Sequence, residues 1–256
     1  MVVSMCRAMQ DASDHELAAV LATSAGHLLL RLRAEHARAK PAVRGAAGDR
    51  RSHAFLLQEL GRLRPADVVL SEEGADDPAR LDADRVWIVD PLDGTREFSE
   101  PERDDWAVHV ALWQAGALTA GAVALPARGL TLATPAAALA PRCPGPPRIV
   151  LSRSRPPAFA ETLRDRLAGE LLTLGSAGVK VAAVVLGSAD VYVHAGGQLE
   201  WDSAAPVAVA LAAGLHASRL DGSPLRYNQT EPRVPDLLVC RPELAAPVLA
   251  LLAGLT

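Results

Sequence analysis

The sequence is short of several things at once, and each scarcity excludes something. Cysteine occurs three times in 256 residues, as Cys6, Cys143 and Cys240. The number is odd, the spacing is wide and there is no C-x-x-C, so neither a disulfide framework nor a thiolate zinc site is expected. The usage fits a reducing, cytoplasmic compartment. Lysine is scarcer still, with only Lys40 and Lys180. With 26 basic residues against 30 acidic ones the formal charge is −4. A net acidic chain carries no general footprint for a nucleic-acid polymer or an anionic membrane surface. The apolar runs at 204–215 and 244–255 are too short to span a bilayer, and each contains a proline. Arg7, Asp11 and Asp14 break up any leader-like apolar stretch after Met1. No internal repeat is visible. G-x-S-x-G, Walker A and H-E-x-x-H are all missing, which removes the common serine-nucleophile, P-loop and zinc-peptidase readings.

What is there is enough for a substantial core. Half the residues are hydrophobic and 22% are charged, the balance of a globular chain of one large domain or two small ones. Ser13 and Glu16 form a capping box ahead of Leu17, Val20, Leu21, Leu28 and Leu32 at helical spacing. A second helix is expected to start after Asp49 as N-cap and to run to about Leu63. Strands are expected at 67–70 and 85–89, a hairpin at 106–113 and 118–125, and a further strand at 130–134. The Ala/Pro-rich stretch 135–147 reads as a linker. Beyond it strand and helix alternate: strands at 148–151, 171–174, 191–194 and 237–240, with helices at 157–168, 176–186 and 203–213 and a last one at the end. This predicts an α+β half over 1–140 and an α/β half over 141–256, in a layered sandwich of helices and sheets.

The densest chemical signal is Trp87-Ile88-Val89-Asp90-Pro91-Leu92-Asp93-Gly94-Thr95. An apolar strand runs into two carboxylates three residues apart, with a rigid proline and a permissive glycine beside them. Carboxylates gathered at a strand end suit a hard cation, which takes oxygen ligands. Glu72-Glu73 follows the preceding strand, and Trp201-Asp202-Ser203 opens a late helix. Taken alone, the first motif is equally an ordinary turn and Asp202 an ordinary helix cap.

Together, the Glu-Glu pair, D-P-L-D-G-T and the late W-D-S-A-A resemble the inositol monophosphatase-like superfamily of metal-dependent phosphatases. The likeness extends over nearly the whole chain after residue 13. Leu70-Ser71-Glu72-Glu73, Thr95-Arg96-Glu97-Phe98 and Leu151-Ser152-Arg153-Ser154 are most similar to its CysQ-type branch of 3′(2′),5′-bisphosphate nucleotidases. The resemblance implies two magnesium ions, held by Glu72, Asp90, Asp93, the Leu92 carbonyl and Asp202, with Asp49 near a third, weaker ion. Thr95 would help orient the attacking water, making Glu72, Thr95 and Asp49 the catalytic set. N–H groups around Gly94 and Thr95 would hold phosphate. The 1–140 half would then carry most metal ligands, and the 141–256 half Asp202 and the substrate contacts. Arg153, Lys180 and His194 are the candidates for those contacts. Arg155 stands where the nucleotidases have a histidine.

The implied reaction is hydrolysis of the 3′-phosphate of adenosine 3′,5′-bisphosphate to AMP and phosphate, clearing a by-product of sulfate activation, with lithium sensitivity. A broad inositol monophosphatase or fructose-1,6-bisphosphatase shares every metal ligand and is the alternative enzyme. A metal-stabilised binding protein without turnover is the alternative outside catalysis. Oligomeric state stays open, a homodimer included.

Overall fold

The computed structural model describes residues 10–135, 139–142 and 144–255. Cys6, Cys143 and part of the expected linker lie outside them. Two five-stranded sheets form the frame. The first contains β1 (Val68–Ser71), β2 (Arg85–Asp93), β3 (Ala107–Gln114), β4 (Ala117–Leu125) and β5 (Leu130–Ala133), side by side in that order. β1 and β2 are parallel and the rest antiparallel. The second has the order β7 (Glu170–Leu174), β6 (Arg148–Ser152), β8 (Val191–Leu199), β10 (Arg233–Cys240), β9 (His216–Ser218). Here β6 is parallel to both neighbours, while β10 is antiparallel to both of its own.

Strand alternation sorts the apolar residues into three cores. Trp87 and Val89 of β2, with Val108, Val110 and Leu112 of β3, face α1 (Asp14–Glu35) and α2 (Pro41–Leu63). Val86 and Ile88 face the other way, onto α5 (Ala177–Val185) and α6 (Glu200–Ala212), which also cover Val150, Tyr192 and Val239 of the second sheet. Ile149, Leu151, Val191 and Val193 bury the far face of that sheet under α4 (Ala160–Leu167) and α7 (Pro242–Leu252). The result is five layers, helix–sheet–helix–sheet–helix, as the alternation of elements implied. The capping box at Ser13 is formed, with Glu16 N donating to Ser13 Oγ at 3.3 Å. By length and composition α1 could cross a membrane; its Leu17, Leu21, Leu29 and Leu32 are packed beneath the first sheet.

Three expectations need correction. Asp49 does not cap α2 but lies inside it, because the helix already begins at Pro41, whose fixed φ suits the first helical position. Gly45 and Gly48 are tolerated within it because a Cβ there would run into Thr95 and Ser99, or into Leu92 and Phe98. The helix at 203 begins earlier, at Glu200, so Asp202 is its third residue rather than its cap, and Pro206 lies inside the helix. β2 does not stop before the carboxylates but continues to Asp93. β9 was not foreseen; three residues at a sheet edge carry little periodic signal.

Candidate active site

The end of β2 is shaped by a bulge. Asp90 pairs with His109, and Asp93 with Ala107, so three steps along β2 match two along β3. In a regular strand residues three apart face opposite sides; the extra residue cancels that and lets Asp90 and Asp93 face one cleft. Pro91 has no N–H to leave unpaired in the bulge. Its carbonyl is tied to α2 by Ser52 Oγ at 2.7 Å, and Leu92 N donates to Asp90 Oδ1 at 2.9 Å. The parallel pairing of Ser71 with Val89 delivers Glu72 to the same place. From the other half, α6 brings in Asp202, whose Oδ2 accepts from Leu199 N at 2.9 Å.

Carboxylate oxygens of Asp90, Asp93 and Asp202 lie within 4.8 Å of one another. Such crowding works against ionisation. Burial, then the charges of Glu72 and Asp93, push the Asp90 carboxyl well above its ordinary range. Asp202 is raised to about 6 by burial and then by Asp93. Glu72, although its side chain reaches solvent, is raised to about 7 by desolvation of its carboxyl and by Asp202. Asp49 is raised to about 6, chiefly by burial. Its Oδ1 accepts from Thr95 Oγ at 3.0 Å, which also lies 3.2 Å from the Leu92 carbonyl.

Asp93 goes the other way. Burial alone would raise it, but its surroundings hold it at about 2. Ser176 Oγ donates to its Oδ2, as does Gly178 N at 2.7 Å, and His109 Nε2 stands 3.1 Å away. These contacts all fall on Oδ2 and fix the carboxylate. The His109 ring is fully buried, and its Nδ1 lies 3.0 Å from the Trp201 carbonyl, which only accepts. With Nδ1 donating there, a second proton on Nε2 makes the ring cationic toward Asp93; the ring's pKa is raised, burial being outweighed by Asp93. His109 thus ties β3 to the Asp93 end of β2 and to the start of α6.

Around these groups opens a cavity of about 260 Å³. Gly94, with φ of 89°, reverses the chain after Asp93 and starts α3 (Thr95–Ser99), whose first N–H groups carry no side-chain cap and border the cavity. Lys180 is 3% exposed; its Nζ donates to the Gly175 and Ser176 carbonyls at 2.6 and 2.9 Å and lies 5.4 Å from the Tyr192 ring centre. Burial draws its pKa down to about 8. It is therefore not a solvated surface lysine. Arg153 is occupied by Glu97, at 2.6 Å, and does not line the cavity; Arg155 does, with Ser152 and Ser154. His194 lines it too, its Nε2 bonded to the Gly197 carbonyl at 3.1 Å. Burial lowers its pKa.

A model of the inositol monophosphatase family matches residues 17–139 and 149–252. The chain belongs to that family. A Mycobacterium bovis protein named 3′-phosphoadenosine 5′-phosphate phosphatase is 56% identical over 238 residues, covering 90% of this chain and 89% of that one. Escherichia coli 3′(2′),5′-bisphosphate nucleotidase CysQ is 33% identical over 199 residues, covering 72% and 80%. The crystal structure of CysQ from Bacteroides thetaiotaomicron superposes with a TM-score of 0.75 at 27% identity, over 88% of this chain and 96% of that one. As a member of this family the chain is a phosphoric monoester hydrolase of a metal-dependent kind, and its acidic cluster fits such an ion: every donor is an oxygen, and crowded carboxylates call for positive charge.

Within the family frame, the structure gathers Glu72, Asp90, Leu92, Asp93, Gly94, Thr95, Lys180, His194 and Asp202 around one cavity, with Asp49 behind Thr95. Arg153 is the candidate it turns away, because Glu97 is the nearer and buried partner. Sequence reasoning missed Ser176 and His109 as holders of Asp93, and Gln198 as a wall residue. His109 had one usable signal: it sits on the expected strand 106–113, the next one along the chain after the Asp90 strand.

Proposed function

We propose that this chain is a magnesium-dependent phosphatase that removes the 3′-phosphate of adenosine 3′,5′-bisphosphate. The observation that carries the reading is the Asp90–Asp93–Asp202 triangle opening onto the uncapped start of α3, in a chain 56% identical to a protein named for that activity. Glu72, Asp90, Asp93, the Leu92 carbonyl and Asp202 would hold two ions, with Asp49 serving a third. When bound, the ions offset the phosphate's negative charge, lower the pKa of water and stabilise the departing oxygen. The chain's own part is positioning. The Thr95 hydroxyl, held by Asp49, orients the attacking water. N–H groups at Gly94 and Thr95 face the phosphate oxygens. Arg155 supplies positive charge for the second phosphate, while Lys180 holds the Gly175–Ser176 turn.

Phosphate release measured over adenosine 3′,5′-bisphosphate, inositol monophosphate and fructose 1,6-bisphosphate tests this. The expected result is the highest kcat/KM on the nucleotide, no turnover in excess chelator, recovery with magnesium and inhibition by lithium. Preference for fructose 1,6-bisphosphate would overturn the substrate, and full activity in chelator would overturn the ions.

A further inference from the structure

Gln198 is 6% exposed and borders the cavity, yet its Nε2 has no hydrogen-bond partner among the described residues. Buried amide donors are nearly always satisfied, so a partner that arrives with the ligand is the natural acceptor. The backbone is bent to bring this side chain to the cleft. Gly196 and Gly197 have φ of 92° and 82°, a region that favours glycine, and β8 resumes at Gln198 opposite Val234. The same turn sets the tautomer of His194. Its Nε2 faces the Gly197 carbonyl, which can only accept, so the proton is on Nε2 and Nδ1 keeps a lone pair. Two residues four apart on one strand therefore offer a donor and an acceptor on the wall away from the carboxylates.

We propose that Gln198 and His194 read the base of the nucleotide: Gln198 Nε2–H donates to a ring nitrogen of adenine, and His194 Nδ1 accepts from the neighbouring exocyclic amine. Adenine carries this acceptor-beside-amine pattern on its hydrogen-bonding edges. Inositol and fructose phosphates offer hydroxyls only. The inference rests on the nucleotidase reading and assigns the residues that select its base.

The test compares kcat/KM of the full-length enzyme on adenosine 3′,5′-bisphosphate, inosine 3′,5′-bisphosphate and ribose 3,5-bisphosphate, which lacks a base. Wild type is expected to prefer adenosine over inosine by about tenfold, the scale of one good hydrogen bond. Gln198→Leu should cut the adenosine-to-ribose ratio by about tenfold. Gln198→Glu, which keeps the size but turns the donor into an acceptor, should cut it at least as far. Equal use of adenosine and inosine by wild type would overturn the pair, as would an unchanged adenosine-to-ribose ratio in variants that still turn over. Wild type inactive on all three but active on inositol monophosphate would sink the nucleotidase reading, and this inference with it. Activity on the nucleotides with unmoved ratios sinks the inference alone.

Discussion

The two walls of the cavity are built on opposite principles. On the first-sheet side, Asp90 and Glu72, joined by Asp202, are crowded and desolvated, so their carboxyls resist ionisation. On the second-sheet side, Lys180, Arg155, His194 and Gln198 present mainly donors. The first wall attracts cations and repels a bare phosphate. The second attracts anions and holds no charge-dense ligand set. Chemistry and recognition can be kept apart in such a cleft because Asp90 and Glu72 come from the first sheet and its loops, and His194 and Gln198 from the second. Asp93 is the exception that explains the rule: equally buried, it stays ionised because His109, Ser176 and Gly178 replace the water it lost.

The largest expected effect tests that exception. Asp90→Asn and Asp93→Asn should each lower turnover by about a thousandfold or more, since each removes a negative ligand. Their stabilities should separate. Asp90→Asn relieves like-charge repulsion and should melt no lower than wild type in chelator. Asp93→Asn strands the His109 charge and should cost about 3–5 kcal/mol. Equal melting temperatures for the two variants would break the contrast.

Next come the cations of the second wall. Lys180 holds the Gly175–Ser176 turn that in turn holds Asp93, so Lys180→Ala should lower kcat/KM on nucleotide and inositol monophosphate alike. Arg155 has no such task. Arg155→Ala should lower kcat/KM on the nucleotide by about tenfold to 150-fold, the range of one charge-assisted contact, with a smaller loss on inositol monophosphate. Matching substrate profiles for the two variants would erase the distinction.

A smaller effect lies in pH. Glu72 at about 7, and Asp49 and Asp202 at about 6, all sit above their unfolded values. Between roughly pH 4 and 7 the folded chain therefore binds more protons than the unfolded one, and stability falls as pH rises. His109, raised, acts in the same direction, while His194, lowered, opposes it. In chelator the melting temperature should be on the order of 5 °C higher at pH 5 than at pH 7.5, and magnesium should narrow the gap at pH 7.5. A melting temperature that climbs with pH in chelator would contradict the crowding of the first wall.

The least effect is expected far from both walls. Cys240 is fully buried beneath α7, and burial pushes its thiol up to about 12. A thiol reagent followed by peptide mass mapping should leave Cys240 unlabelled until the protein unfolds. Rapid labelling in native buffer would show that the third core opens.

The carboxylates were legible because they interrupt apolar runs, and strands are short enough to be read from alternation. The hairpin and the Ser13 box were legible for the same local reason. The start of α2 was misjudged because Asp49 reads locally as an N-cap, and only the packing of Thr95, Ser99, Leu92 and Phe98 against Gly45 and Gly48 shows how the helix runs on before it. Arg153 and Arg155 could not be ranked, since nothing near them in sequence reveals that Glu97 takes the first.

The amino-acid order by itself determined which acids stand at strand and helix ends, because caps, alternation and turns depend on residues a few positions apart. Only the tertiary structure decided which of them are charged and where they point. Those properties depend on donors and charges from distant segments: Gly178 N reaches Asp93 across 85 positions, and His109 reaches the Trp201 carbonyl across 92. Desolvation and Coulomb energy act through space, and no spacing along the chain encodes them.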